Sequence, residues 1–253
     1  ENNTGTKVFC IHRREALVLD DHCEGYLAHG INVKPGDIVF DVGANIGLFG
    51  LRMNQRTNGD LRLFAFEPIP DIHAVATANL EPWSGTKVLR AGVSAQPGEA
   101  QFTYYPNTPS LSTAHPDMWQ DGDAELTEAV VGNARNAPMW YGKLLPRFLA
   151  GFIAKRLRKG AIEIHCVLKT VSEVIAEHEL PRIDLLKVDC EGAELDVLRG
   201  VAKEDWPKVQ QAVLEVHDVH DQLSEVKRIL IENGLTELVV EKEDAFLNTS
   251  LIN

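Results

Sequence analysis

Asp37-Ile38-Val39-Phe40-Asp41-Val42-Gly43-Ala44-Asn45-Ile46-Gly47 is the stretch whose reading decides the fold. Gly36-Asp37 opens it as a turn. Ile38, Val39 and Phe40 run apolar without a break, as in a strand buried on both faces. Asp41 stands where that strand ends. Gly43 and Gly47 bracket a tight turn, and Leu48, Leu51 and Met53 begin a helical spacing. Glycine suits such a turn because it adopts positive φ and, without a Cβ, lets the backbone approach a ligand closely. The helix beyond presents N–H groups that have no partner within it.

The spacing separates cofactors. A dinucleotide fingerprint reads G-x-G-x-x-G. This loop reads Gly43-x-x-x-Gly47 and lacks the middle glycine that admits a pyrophosphate. Twenty positions after Gly47, a second apolar run (61–66) ends in Glu67-Pro68. An acid at the tip of the second strand suits a ribose diol. The pair fits S-adenosylmethionine (SAM) better than NAD, and an NAD-dependent oxidoreductase is disfavoured. Asp41, Gly43, Asn45, Gly47, Glu67 and Pro68 are the cofactor candidates.

Outward from this stretch the pattern alternates strand and helix, which argues for an α/β fold on a mostly parallel sheet with helices on both faces. Strands are expected at 38–41, 61–67, 87–93, 161–169, 183–188 and 211–216. Helices are expected at 46–56, 70–80, 170–179, 191–199 and 219–233. An antiparallel pair at 235–240 and 246–252 closes the sheet. Thr170-Val171-Ser172-Glu173 reads as a capping box. Ligands in such sheets sit beyond the carboxyl ends of the strands, which adds Gly92 and Val93 as adenine contacts. Residues 94–105, with a turn at Gln96-Pro97-Gly98-Glu99, read as a hairpin.

Two segments lie outside the alternation. Residues 1–36 read as an N-terminal cover, with short strands at 8–12 and 16–19 and with Glu24 and Tyr26 over the cofactor. Residues 106–160 carry five prolines and little periodicity. So long an irregular segment in a compact domain points to a function, here a substrate lid. It holds one helix at 144–159, with Leu144, Leu145, Phe148, Leu149, Phe152 and Ile153 on one face. Arg147, Lys155, Arg156, Arg158 and Lys159 form a basic cluster suited to an acidic partner. The whole chain reads as a single domain.

Three blocks carry a resemblance to a known family. Asp41-Val-Gly-Ala-Asn45-Ile-Gly47, Phe66-Glu67-Pro68-Ile-Pro70 and Asp184-Leu-Leu-Lys187-Val-Asp189-Cys-Glu191-Gly-Ala-Glu194 occur in the order seen in the FkbM methyltransferases. The resemblance covers about residues 37–234, around a divergent middle. It implies a class I methyltransferase (Rossmann-like) fold and SAM-dependent methylation of a hydroxyl oxygen. The acceptor it implies is a small molecule, a sugar or a natural-product intermediate, free or held on an acyl carrier protein.

The chemistry falls to the ends of the fourth and fifth strands. His217 is the expected base, because an unperturbed imidazole titrates near about 6.5. Asp189 is expected to orient it, with Glu215 beside them. Glu191 and Glu194 are expected to shape the acceptor pocket. A metal-assisted alternative would use Asp189, Glu215 and His217 as ligands of a divalent cation; it ranks second because their spacing is not diagnostic. A non-catalytic binding module is disfavoured by the intact cofactor loop.

Composition sets outer limits. The 253 residues suffice for one large α/β domain. The net charge of −12 argues against nucleic acid, whose recognition needs clustered Lys and Arg. No apolar run reaches the ~20 residues that span a bilayer. Cys10, Cys23, Cys166 and Cys190 form no C-x-x-C pair, which fits reduced thiols and a cytoplasmic location. The chain starts at Glu1 without a methionine, which would fit a domain excised from a longer natural-product biosynthetic protein.

Overall fold

A computed structural model describes residues 5–115, 127, 131, 147–217, 221–242 and 249–252. Its centre is a sheet of strands β1 (Asp37–Val42), β2 (Leu61–Phe66), β3 (Thr86–Leu89), β7 (Leu185–Val188), β8 (Ala212–His217), β9 (Val240–Lys242) and β10 (Thr249–Ile252). The spatial order is β3-β2-β1-β7-β8-β10-β9. Pairings from β3 through β8 are parallel. β10 runs antiparallel to β8 and β9 and closes the edge. The order reverses between β1 and β7, so the crevice for a ligand opens at their carboxyl ends.

Period-two alternation sends the strand side chains to two cores. Ile38, Phe40, Val42, Leu186, Val188, Leu214 and Val216 face helices α5 (Val171–Glu177), α6 (Glu194–Arg199) and α7 (Gln222–Glu232). Val39, Leu185, Val213 and Leu251 face α1 (Arg13–His22), α2 (Leu48–Arg56) and α3 (Pro70–Leu80). Asp41, Lys187, Glu215 and His217 share the register of this second set. The fold therefore gathers four charged or titratable side chains under the N-terminal segment.

Several elements differ from expectation. Residues 13–22 are helix, not strand. Ala16 and Asp20, four apart, turn inward, and Asp20 meets the buried guanidinium of Arg52 at 2.7 Å. The expected third strand splits. β3 stops at Leu89, and β4 (Gly92–Val93) joins a second sheet of order β4-β6-β5 with β5 (Gly98–Tyr104) and β6 (Ile162–Lys169). The expected local hairpin is thus a long-range pairing: β5 lies antiparallel to β6 on the far side of the insertion. The helices after β7 and β8 start later than expected, at Glu194 and Gln222. The Thr170 capping box forms with both of its bonds.

Of the expected lid, residues 116–126, 128–130 and 132–146 lie outside the described residues. Its described helix is α4 (Arg147–Arg158). Ala150 and Ala154 are its buried residues, whereas Leu149, Phe152 and Ile153 are exposed, Phe152 by 68%. The described part of the expected apolar face is thus turned outward; Leu144 and Leu145 lie outside the described residues. Among the described residues, no helix is long and apolar enough to cross a membrane.

Candidate active site

A cleft of about 720 Å³, counting its open mouth, lies over the carboxyl ends of β1, β2 and β7. Gly43 and Asn45 line it from the β1 loop, and Glu67 and Pro68 from the end of β2. Gly92 and Val93 enter from β4, and Asp189 and Glu191 from the end of β7. Ser110 and Ser112, from the described start of the insertion, complete one wall. The fold thus brings the candidates from three separated sequence blocks to one cavity. Asp41, Gly47, Glu194, Glu215 and His217 do not line it.

The β1 loop takes left-handed φ at Gly43 (74°), Asn45 (48°) and Gly47 (82°). A Cβ at Gly43 would lie 1.6 Å from the Asp189 carbonyl oxygen. Glycine is therefore required there by the crossing of two strand ends, before any ligand is considered. Asn45 tolerates its conformation because its Oδ1 accepts from the Ile46 N–H at 2.7 Å.

Glu67 is only 5% exposed, yet it lines the cleft. Its Oε1 accepts from the Ile69 N–H at 2.9 Å. Burial pushes its carboxyl up to about 7, against the backbone bonds from Ile69 and Asn45. A carboxylate has about four acceptor positions, so capacity remains for a diol.

Lys187 underlies the other end. Its Nζ lies 3.1 Å from Asp41 Oδ1, 3.6 Å from Asp189 Oδ2 and 2.9 Å from the Gly43 carbonyl oxygen. Burial would lower the ammonium pKa; Asp41 and Asp189 outweigh it and raise it. Burial likewise raises the Asp41 carboxyl, and Lys187 draws it back. Asp41, fully buried, is engaged beneath the glycine loop. Any part it plays toward a cofactor runs through Lys187 and that loop.

Tyr26 closes this network from above. Its hydroxyl lies 2.8 Å from Asp189 Oδ2 and 2.8 Å from Glu215 Oε2, and the Lys187 Nζ sits 5.2 Å from its ring centroid. Glu24, expected beside it, instead holds Arg52 and Arg56 of α2.

The imidazole of His217 is placed differently from expectation. Nε2 lies 3.4 Å from Glu191 Oε2 and Nδ1 3.5 Å from Glu194 Oε1. Burial would lower its pKa, but Glu194 and Glu191 outweigh burial and raise it well above the ordinary value. These two carboxylates favour the imidazolium. Glu191 and Glu194, not Asp189, hold it in place; Asp189 is held by Tyr26 and Lys187. Glu191 itself is left-handed at φ 53°, a strained conformation for a non-glycine residue. Its carbonyl accepts from Thr113 Oγ1 at 2.7 Å. Burial raises its carboxyl, and His217 offsets that only in part. Asp189, Glu215 and His217 do not form a ligand set. Among the described residues, no group of three or more His, Cys, Asp or Glu side chains is arranged to hold a metal ion.

Sequence reading gave no role to Lys187 or Thr113, and placed Tyr26 over the cofactor rather than on the carboxylates. A lysine inside an otherwise apolar strand was the available signal for Lys187, since a buried charge needs partners. Nothing local marks Thr113 or the Tyr26 contacts, which span 78, 163 and 189 positions in sequence.

Comparison with known proteins gives consistent matches. The family described as "Methyltransferase FkbM domain" matches residues 41–236. The chain is 35% identical over 235 residues to the 31-O-demethyl-FK506 methyltransferase FkbM of Streptomyces tacrolimicus, covering 92% of this chain and 85% of that protein. It is 32% identical to methyltransferase sdnD of Sordaria araneosa, over 86% of this chain and 79% of the relative. It is 37% identical to part of the AMB antimetabolite synthetase AmbE of Pseudomonas aeruginosa, over 78% of this chain and 9% of that protein.

Proposed function

Since this chain belongs to the FkbM family of methyltransferases, we propose that it transfers the methyl group of SAM to a hydroxyl oxygen of a natural-product or sugar acceptor. The observation that carries this reading is the convergence of Gly43, Glu67 and Asp189 on one cleft. The left-handed glycine loop leaves backbone close to the cleft. Glu67, held by the Ile69 N–H, suits the two hydroxyls of a ribose. Gly92 and Val93 offer a small, apolar wall for a purine. Bound there, SAM supplies an electrophilic methyl group.

The protein's own residues then have distinct tasks. Asp189 and Glu191 stand at the acceptor end of the cleft. Glu191 is the group suited to take the hydroxyl proton, because it lines the cleft and burial brings its carboxyl toward working pH. His217 holds it from behind and is itself held by Glu194. Alignment of the acceptor supplies the rest, worth several kcal/mol in general.

The name of the Streptomyces relative places its methyl group on an oxygen, and the match to a small part of a synthetase favours a carrier-bound acceptor as a second source. Exposed Leu149, Phe152 and Ile153 lie beside the basic end of α4, which suits an acidic carrier protein. Arg158 also lies over the Tyr105 ring at 5.9 Å, so the cluster serves packing too. The four cysteines are free thiols, which supports a reducing, cytoplasmic setting. The test is incubation with methyl-labelled SAM and a library of hydroxylated small molecules and carrier-bound acyl groups. A product labelled on oxygen supports the reading. Labelling only on nitrogen or carbon, or none with any acceptor, contradicts it.

A further inference from the structure

The contacts of Tyr26 need more protons than its hydroxyl carries. Oη lies 2.8 Å from Asp189 Oδ2 and 2.8 Å from Glu215 Oε2, both at the usual distance of an O–H···O bond. A tyrosine hydroxyl has one proton to give, and an ionised carboxylate only accepts. With both carboxylates ionised, one contact would be a bare oxygen–oxygen approach. Tyr26 and Glu215 are 5% and 7% exposed, so such an approach would be costly.

A second proton removes the conflict, and the surroundings say where it sits. The Lys187 ammonium lies 3.6 Å from Asp189 Oδ2 and favours charge on Asp189. Asp189 also keeps a side-chain exposure of 22%, whereas Glu215 is buried, and burial favours the neutral acid. Among the described residues, the other charged groups nearby include Asp41, Glu191, Glu194 and His217. The three carboxylates oppose a further negative charge in the cluster. The imidazolium of His217, two residues along β8, opposes the neutral acid. With Glu215 neutral, the cluster still carries more carboxylates than cations.

We propose that Glu215 is a carboxylic acid in the resting protein, that it donates to Tyr26 Oη, and that Tyr26 donates to Asp189 Oδ2. Tyr26 is then a positioning residue. It occupies one oxygen of Asp189 and fixes the carboxylate, leaving Oδ1 for a ligand group in the cleft. Only this consequence rests on the proposed methyl transfer; the proton count does not.

Infrared spectra of the unliganded full chain, labelled with ¹³C in glutamate, test the proton directly. At neutral pH the wild type should show a carboxylic-acid carbonyl band that shifts with the label. Glu215→Gln should remove a component of it, and Tyr26→Phe should move that component to higher frequency as the acid loses its acceptor. A Glu215→Gln spectrum that loses no acid band overturns the proposal. If that variant does not fold, an acid band unmoved by Tyr26→Phe does the same. In turnover, Tyr26→Phe should lower kcat by about tenfold or more and shift its pH profile, with the acceptor KM little changed. A fall in affinity alone, at unchanged kcat and pH profile, contradicts the positioning role. The spectra use neither cofactor nor acceptor, so they stand or fall apart from the proposed function.

Discussion

His217 Nε2 lies 3.4 Å from Glu191 Oε2, and it is Glu191, not His217, that lines the cleft. In the proposed reaction the imidazole would therefore work behind the carboxylate rather than on the acceptor. Its positive charge partly offsets the burial that raises the Glu191 carboxyl, and so widens the pH range over which Glu191 can accept a proton.

The kinetic consequence separates the two residues. Glu191→Gln should lower kcat by about 10²–10⁴-fold at every pH, the usual worth of a positioned base. His217→Ala removes the cation that lowers the Glu191 carboxyl. The acid limb of its kcat profile should move to higher pH, and activity should recover in alkaline buffer. Were the imidazole the base, no recovery would follow. Profiles of kcat against pH for both variants decide between these outcomes.

Cofactor affinity should depend on pH through Glu67. Its carboxyl is raised to about 7 in the unliganded protein, and the form that accepts from two ribose hydroxyls is the ionised one. Binding then releases a proton near and below that pH, so affinity falls as pH drops from about 8 to about 6 and levels off above. Glu67→Gln should lose this dependence. Calorimetry in buffers of different ionisation enthalpy reads the proton release; equal heats in all buffers at about pH 6.5 would count against it.

Lys187 is a stability test. Lys187→Met leaves Asp41, with no exposed surface, as a buried carboxylate without its cation. The expected cost is about 3–5 kcal/mol, typical of removing one partner of a buried pair. Lys187→Met/Asp41→Asn should recover part of it. Urea unfolding of wild type, Lys187→Met, Asp41→Asn and the double variant measures the coupling, and additive losses would mean that the pair is not coupled.

Gly43→Ala probes the loop. Its Cβ would meet the Asp189 carbonyl oxygen at 1.6 Å, at a φ of 74°. The ends of β1 and β7 would have to separate, so the melting temperature should fall and SAM binding should be lost together. A variant as stable as wild type that still binds SAM would show that the strand ends adjust freely.

The central α/β architecture was legible because each core strand pairs with its neighbour through an apolar run that stands out locally. Phe40 and Leu186 announce themselves in this way. The cleft wall at the ends of β1 and β2 was legible for a related reason: Gly43 and Glu67, which line it, sit at fixed offsets from strand ends. The acceptor side was not. Which of Asp189, Glu191 and His217 reaches the cleft depends on the left-handed turn at Glu191 and on Thr113 holding that turn. Tyr26 meets Asp189 only because α1 folds 13–22 over the same face as Lys187. The hairpin expected at 94–105 did not form because a turn at Gly98 looks the same whether its arms pair with each other or, as β5 does, with β6.

Titration of the protein with SAM, with NAD in a parallel cell, tests the central claim most directly. One saturable SAM site per chain is expected, no measurable NAD site, and a loss of about 1–3 kcal/mol in SAM affinity for a folded Glu67→Ala variant, the scale of charge-assisted bonds to the ribose. Binding of NAD in place of SAM, or unchanged SAM affinity in that variant, would contradict the assignment of the cleft.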